Sequence, residues 1–193
     1  MEKQTQKKAL FRKNCWNAIY CHKHIEISGD KCLIVHHKGP SGWRSVFAKY
    51  PIVLNKHLSD YFYYEISIME KDERDCGIIF GFTVKRQNKL DGPIHREKGT
   101  YAFDSDGEIN GQGKRRNGQY SYRFGDTVGI GVNSSTRQMI FTKNGLRLDT
   151  SDFFVDPSFS DGYSLYPFVS LLRFGDKIEA NFGPNFKFDL ATL

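Results

Sequence analysis

Cysteine and histidine side chains gather near the start of the sequence, where they could bind a metal ion. Cys15, Cys21, His22 and His24 lie in one short stretch, and strand alternation would place His22 and His24 on the same face. A structural zinc site needs four converging ligands, and no two cysteines have the CxxC spacing that such sites use. We therefore expect no bound metal, and we expect the four cysteines of the chain to be reduced thiols.

Acidic side chains form a second candidate for chemistry. Asp104 and Asp106 could bind calcium, but calcium draws roughly six to eight oxygen ligands from several segments. Together with Gly107 they also fit an ordinary turn in which aspartate carboxylates accept hydrogen bonds from backbone N–H groups. The turn is the better interpretation.

Motifs of common enzyme classes are absent from the sequence. There is no GxSxG nucleophile motif, no HExxH motif and no complete phosphate-binding loop. Residues 111–114, Gly-Gln-Gly-Lys, suggest a phosphate loop but lack a preceding strand and a following Ser or Thr, so we interpret them as a solvated turn. We predict that the chain is not an enzyme and uses no cofactor.

Two groups of residues could instead bind another macromolecule. Trp43 and Arg44 are of the types enriched at interface hot spots, although Trp43 could equally pack between two sheets. Residues 114–116, Lys-Arg-Arg, could contact RNA or an acidic protein, or could be a solvated loop. The net charge of +6 favours acidic partners but falls short of the dense basic tracts of nucleic-acid-binding proteins, so we do not expect a nucleic-acid partner.

Short alternating segments separated by turn residues must position these side chains. A chain of 193 residues fits one larger β domain, and the spacing is typical of an all-β protein with two packed antiparallel sheets and little helix. Asn144 and Gly145 supply the two positive φ values of a tight hairpin turn, which predicts a hairpin over 138–148. The predicted strands are 25–28, 32–36, 43–48, 61–68, 77–83, 100–103, 127–133, 138–142, 166–171 and 177–181.

The ends and connections of the chain carry further expectations. Residues 1–14 are rich in lysine and arginine and are interpreted as a mobile basic arm, which leaves 15–193 as the domain. No apolar run is long enough to span a membrane, so we expect no membrane association. Two long polar connections, 85–98 and 111–123, are candidates for binding loops.

Several short strings, in this order, resemble the signature of the SPRY (B30.2-like) domain family, in the branch typified by Ran-binding protein M. They lie between about residues 16 and 190, and their order makes the match specific. The matching strings are 42–46 (Gly-Trp-Arg-Ser-Val), 63–66, 79–82, 99–103, 124–129, 141–145 and 180–183.

The resemblance implies a β-sandwich that binds a protein or peptide in a shallow pocket formed by loops at one edge. Carried over residue by residue, it assigns partner binding to three segments of this chain. They are Trp43, Arg44, Lys49, Tyr50 and Pro51; Asp104 and Ser105; and Arg173, Phe174 and Gly175.

The opening element, 21–46, resembles the secreted SPRY proteins of plant-parasitic cyst nematodes. This resemblance implies an effector that is secreted by a parasite and acts in the host cytoplasm or nucleus, where it binds host proteins and is recognised by immune receptors. We also expect the chain to be a monomer. The sequence shows no helical dimerisation or LisH-like segments beside the domain. The alternatives are a cytoplasmic SPRY scaffold or adaptor, and a lectin-like or RNA-binding β-sandwich.

Overall fold

The computed structural model describes residues 14–57, 61–69, 77–95, 97–111, 114–116, 120–159 and 162–193, with only the backbone for 114–116. The predicted basic arm, 1–14, therefore lies outside the described residues except for Asn14. The strands are β1 (Trp16–Cys21), β2 (Ile25–Ser28), β3 (Ile34–His37), β4 (Arg44–Ala48), β5 (Ile52–Val53), β6 (Tyr61–Met69), β7 (Ile78–Thr83), β8 (Thr100–Asp104), β9 (Ile109–Gly111), β10 (Lys114–Arg116), β11 (Thr127–Asn133), β12 (Met139–Lys143), β13 (Leu146–Arg147), β14 (Ser164–Leu171) and β15 (Lys177–Asn181), and a 3₁₀ turn covers Leu190–Thr192.

The strands form two antiparallel sheets. Sheet A has the order β1-β4-β14-β7-β8-β9-β10, with β5 also paired to β14, and sheet B has the order β13-β12-β11-β6-β15-β3-β2. The predicted β-sandwich is confirmed, and all ten predicted strands are present with ends shifted by two residues or fewer. The predicted hairpin is β12–β13, where Asn144 and Gly145 have φ values of 52° and 81°.

Aromatic side chains fill the space between the sheets. Tyr64 of β6 is buried, and its hydroxyl donates to the carbonyl oxygens of Gly81 and Phe168 in sheet A, at 2.8 and 3.1 Å. Its ring stacks on Phe182 with centroids 5.3 Å apart. Because the polar end of this side chain bonds to backbone of the opposite sheet, it fixes the position of one sheet relative to the other.

The outer face of sheet B is covered by the C-terminal segment, 184–193. Phe186 and Phe188 pack on the ring of Tyr63, with centroids 4.8 and 5.9 Å away. The carboxylate of Glu65 is buried and accepts hydrogen bonds from the Tyr63 hydroxyl and from the backbone N–H groups of Lys187 and Phe188, each at 2.9 Å. A single buried carboxylate therefore binds the C-terminal segment to the sheet.

Small residues of β11 make room for Tyr63. A Cβ atom at Gly129 would lie 2.0 Å from the Tyr63 hydroxyl oxygen, and one at Gly131 would lie 2.9 Å from its ring. The alternation of β-branched residues and glycine in 127–133 predicts one packed face and one that can be closely covered. Tyr63 provides that cover.

The connection 85–98, which its polar composition predicts as a candidate binding loop, has described residues that pack on sheet A. Leu90 and Ile94 pack with Phe47 and Phe168 on the outer face of sheet A. The Ser45 hydroxyl bonds to the carbonyl oxygen of Gly92 at 2.8 Å, so the segment lies against the sheet. In the connection 111–123, residues 114–116 form edge strand β10, paired with β9, so the alternative of a solvated loop is wrong, and a contact of these residues with RNA or an acidic protein stays a prediction.

Trp43 does not pack between the sheets. It is half-buried beside Phe47 and Phe168 in the apolar cluster on the outer face of sheet A. The tryptophan of the inter-sheet core is Trp16, which is 2% exposed and donates its indole N–H to the Leu33 carbonyl.

The described residues contain no helix of the length and apolar character needed to cross a membrane.

Candidate functional site

Sheet register brings seven of the ten predicted site residues to one end of the sandwich. Arg44, at the start of β4, is paired with Leu171 at the end of β14, and Leu171 is paired with Ile78 at the start of β7. Asp104, at the end of β8, is paired with Ile79 of β7. Trp43, Arg44, Asp104, Ser105, Arg173, Phe174 and Gly175 therefore share this end, which we name the Arg44 end.

Lys49, Tyr50 and Pro51 lie at the opposite end, which we name the Tyr50 end. They follow the last residue of β4, so about five extended residues, roughly 16 Å of strand, separate Lys49 from Arg44. The Tyr50 backbone is bound by Asn14, whose side-chain amide bonds to the Tyr50 N–H and C=O at 3.0 and 2.8 Å. The prediction of one pocket containing both groups is wrong, because a strand carries its two flanking loops to opposite ends of the sheet.

At the Arg44 end, Arg44 belongs to a chain of polar contacts. Its guanidinium Nη1 donates to the Trp43 carbonyl at 2.7 Å and lies 3.6 Å from Oδ1 of Asp91. The same oxygen lies 2.9 Å from Nε2 of His22, and the His24 backbone N–H donates to Nδ1 of His22 at 3.0 Å. Because Nδ1 accepts a hydrogen bond, we assign the neutral tautomer of His22 with the proton on Nε2.

Burial is the main cause that lowers the pKa of His22, against the opposing effect of the Asp91 hydrogen bond. His22 is 7% exposed, whereas the Asp91 side chain is 57% exposed. The network therefore holds Arg44 in one position without requiring a charge on His22. Sequence reasoning missed Asp91 and His22 as parts of this site, because no pattern in the sequence joins residues that are 69 positions apart.

Phe174 is presented by a tight turn between β14 and β15. The carboxylate of Asp176 accepts a hydrogen bond from the Arg173 N–H at 2.8 Å, and the Asp176 N–H donates to the Arg173 carbonyl at 3.0 Å. Gly175 adopts a φ of 87° and donates to the His37 carbonyl at 2.9 Å. The Phe174 side chain is nevertheless 60% exposed, so a well-fixed turn displays a large apolar group to solvent.

Asp104 and Ser105 form the turn that the sequence favours over a calcium site. The Asp104 carboxylate accepts a hydrogen bond from the Glu108 N–H at 2.8 Å, and the Gly107 N–H donates to the Asp104 carbonyl at 3.0 Å. Ser105 is 9% exposed, and its hydroxyl oxygen accepts from the Ile78 N–H at 3.3 Å. Ser105 thus serves the turn itself and offers little surface to a partner.

The surroundings of Asp104 make its side chain harder to ionise. Burial raises its pKa to about 6, and the nearby carboxylates of Glu108 and Asp106 act in the same direction.

Across the residues that the structure describes, no group of three or more His, Cys, Asp or Glu side chains is arranged to hold a metal ion.

The family of the chain follows from its match to known proteins. The family model of the SPRY domain matches residues 61–185, which is more than half of the chain. The chain belongs to the SPRY domain family.

Relatives of this SPRY domain include a Drosophila melanogaster Ran-binding proteins 9/10 homolog, which is 33% identical over 152 residues. That match covers 75% of this chain but only 14% of the Drosophila protein. Among solved structures, a human SPRY domain has a TM-score of 0.61 and 25% identity, covering 85% of this chain and 98% of the other. The SPRY domain of human HERC1 has a TM-score of 0.63 and 17% identity, covering 86% and 96%.

SPRY domains are in general non-catalytic modules of protein interaction. In this SPRY domain, the Arg44 end combines a fixed guanidinium, a half-buried indole and an exposed phenyl ring on rigid turns. Such groups can bind a partner with little loss of conformational entropy, because their positions are set before binding.

Proposed function

We propose that this SPRY domain captures an extended segment of a partner protein at the Arg44 end. The observation that carries the proposal is Phe174, a phenyl ring that is 60% exposed on a turn fixed by hydrogen bonds to Asp176 and His37. Single exposed apolar side chains are common, but an aromatic ring on a turn that is fixed before binding is suited to act as an interface anchor.

The surroundings of Phe174 support a protein as the ligand. Gly42, next to Trp43 and Arg44, donates its N–H to the Leu172 carbonyl at 2.7 Å, so the Trp43 segment and the Phe174 turn adjoin. Asp91 lies beside Arg44, and its side chain is 57% exposed whereas that of Arg44 is 18% exposed, so the carboxylate is the more accessible of the two charges. An aromatic anchor beside a guanidinium and a carboxylate matches the composition of interface hot spots.

A pair of variants tests this assignment. Phe174→Ala removes the exposed anchor and should abolish capture of the partner, whereas Tyr50→Ala removes a partly exposed aromatic ring at the opposite end and should leave capture unchanged. Both variants should melt within about 2 °C of the wild type, because substitutions at exposed positions change stability little. Retention of full partner affinity by Phe174→Ala would reject the Arg44 end as the binding site.

We further propose a narrower role, that of a secreted effector of a plant-parasitic nematode that acts in the host cytoplasm or nucleus. Its support is the resemblance of residues 21–46 to such proteins. Antibodies to this domain, applied to infected plant tissue, should then label the interior of host cells. Labelling confined to the cells that synthesise the protein would favour the alternative of a cytoplasmic adaptor.

A further inference from the structure

Cys15 and Cys32 are far apart in the sequence but lie close together at the start of β1. The Trp16 backbone N–H donates to the Cys32 carbonyl at 3.0 Å, and the Trp16 indole donates to the next carbonyl, that of Leu33, at 2.9 Å. Cys15 therefore immediately precedes the donor of a hydrogen bond whose acceptor belongs to Cys32.

This hydrogen bond limits the distance between the two cysteines. In a trans peptide the Cα atom of Cys15 lies on the same side of the peptide bond as the Trp16 N–H, and a carbonyl oxygen is close to its own Cα atom. Standard bond lengths then place the Cα atoms of Cys15 and Cys32 within about 7 Å of each other. Disulfide-bonded cysteines have Cα separations of roughly 4.4–6.8 Å.

Cys15 and Cys32 are both accessible to solvent, to different degrees. Trp16 is buried in the inter-sheet core and Leu33 packs against that core, while their predecessors Cys15 and Cys32 are half-buried and exposed. Cys21 differs, because its sulfur faces the carbonyl oxygens of His22 and Ile25 at 3.6 and 3.7 Å. Burial raises the pKa of the Cys21 thiol to about 11, which disfavours its reactive thiolate form.

We propose that Cys15 and Cys32 form a reversible intramolecular disulfide in exchange with a small-molecule disulfide such as oxidised glutathione. The exposed Cys32 thiolate attacks one sulfur of the glutathione disulfide, forms a mixed disulfide and releases one glutathione thiolate. The Cys15 thiolate then attacks the Cys32 sulfur and releases the second. The two protein thiols are oxidised, the glutathione disulfide is reduced to two thiols, and the two protons pass from the cysteines to the released glutathione.

The disulfide would act on the Tyr50 end, independently of the proposed function at the Arg44 end. The Cys15 carbonyl accepts from the Lys49 N–H at 2.8 Å, and Asn14 binds both backbone polar groups of Tyr50. Linking Cys15 to Cys32 closes a loop of about 18 residues and constrains the unfolded chain. A loop of this length corresponds to about 3 kcal/mol, so the oxidised protein should melt roughly 6–12 °C higher than the reduced protein.

The test uses the full chain with Cys76→Ser, because Cys76 lies outside the described residues. This background and its Cys15→Ser, Cys32→Ser and Cys21→Ser derivatives are equilibrated with oxidised glutathione, and their free thiols, intact masses and non-reduced peptide maps are measured. We expect the background and Cys21→Ser to lose two thiols, retain no glutathione, yield a linked Cys15–Cys32 peptide and gain thermal stability. In Cys15→Ser the reaction should end at a glutathione adduct on Cys32, and this variant should gain no thermal stability.

Two results would overturn the proposal. One is accumulation of a stable glutathione adduct on Cys32 in the background chain, without a linked peptide. The other is a linked peptide that contains Cys21 in place of Cys15 or Cys32. Either would show that Cys15 and Cys32 do not form the disulfide that the folded protein prefers.

Discussion

Replacing Asp104 by Asn should stabilise the protein at neutral pH, although the substitution removes a charge at the candidate site. The Asp104 carboxylate is raised to a pKa of about 6, first by burial and then by the charges of Glu108 and Asp106. An asparagine keeps the side-chain oxygen that accepts the Glu108 N–H, so the turn retains its hydrogen bond.

The size and sign of the effect follow from proton linkage. The folded-state pKa lies above the ordinary value of 3.8, so the folded state binds the proton more tightly and loses stability as the pH rises from about 4 to 6. A difference of two units corresponds to an upper limit of about 3 kcal/mol. Because Asp104 is only half-buried, solvent screening reduces the expected gain to about 1 kcal/mol above pH 7.

Urea denaturation of the wild type and Asp104→Asn at pH 4 and pH 7.5 measures this effect. Asp30→Asn is the matched control, because Asp30 is an exposed acid in the turn after β2. We expect Asp104→Asn to be more stable than the wild type at pH 7.5, equal to it at pH 4, and distinct from the control. A variant that is less stable at pH 7.5, or whose difference does not change with pH, would refute the reasoning.

Three further predictions concern polar side chains that are buried or half-buried. Glu65→Gln should lose about 2–3 kcal/mol of unfolding free energy in urea titrations. The glutamine NH₂ group would replace one of the two carboxylate oxygens that accept from Lys187 and Phe188, so it would face a backbone N–H group. A loss below about 0.5 kcal/mol would contradict this. Arg86→Lys should lose about 1–2 kcal/mol, because the Arg86 guanidinium lies between the rings of Tyr20 and Tyr166 and donates to the carbonyls of Ala48 and Lys49; unchanged stability would show that the stacking is dispensable. The pKa of His22 is lowered in the folded state, so the stability that His22 contributes is lost as the pH falls below the pKa of about 6.5 that it has in the unfolded chain. An NMR titration of the ring should give a midpoint below 6.5. A midpoint above that value would contradict the assignment.

Local sequence patterns predict most of the fold because each strand and turn is determined mainly by residues that are close together in the sequence. Alternation in 127–133 predicts a strand with one packed face and one face that another side chain can closely cover, and Asn144–Gly145 encodes its own hairpin turn. The strand β1 is missed because it is irregular: Trp16 is paired with Ala48 and Cys21 with Val46, and Ile19 between them is 86% exposed. Such a strand has no regular alternation to detect.

The candidate site is only partly predictable for a different reason. A five-residue strand requires that Arg44 and Lys49 lie at opposite ends, and this could have been inferred from topology alone. The contact of Asp91 with His22 and Arg44 could not, because it depends on how 85–98 folds back over sheet A. The buried position of Ser105 likewise depends on its contact with Ile78 of a neighbouring strand.

Hydrogen exchange of the SPRY domain with and without its captured partner tests the central claim most directly. Partner binding at the Arg44 end predicts slower exchange in peptides that cover 40–44 and 172–176, with no change in peptides that cover 49–53. Protection restricted to 49–53, with unchanged exchange around Phe174, would contradict the account and place binding at the Tyr50 end.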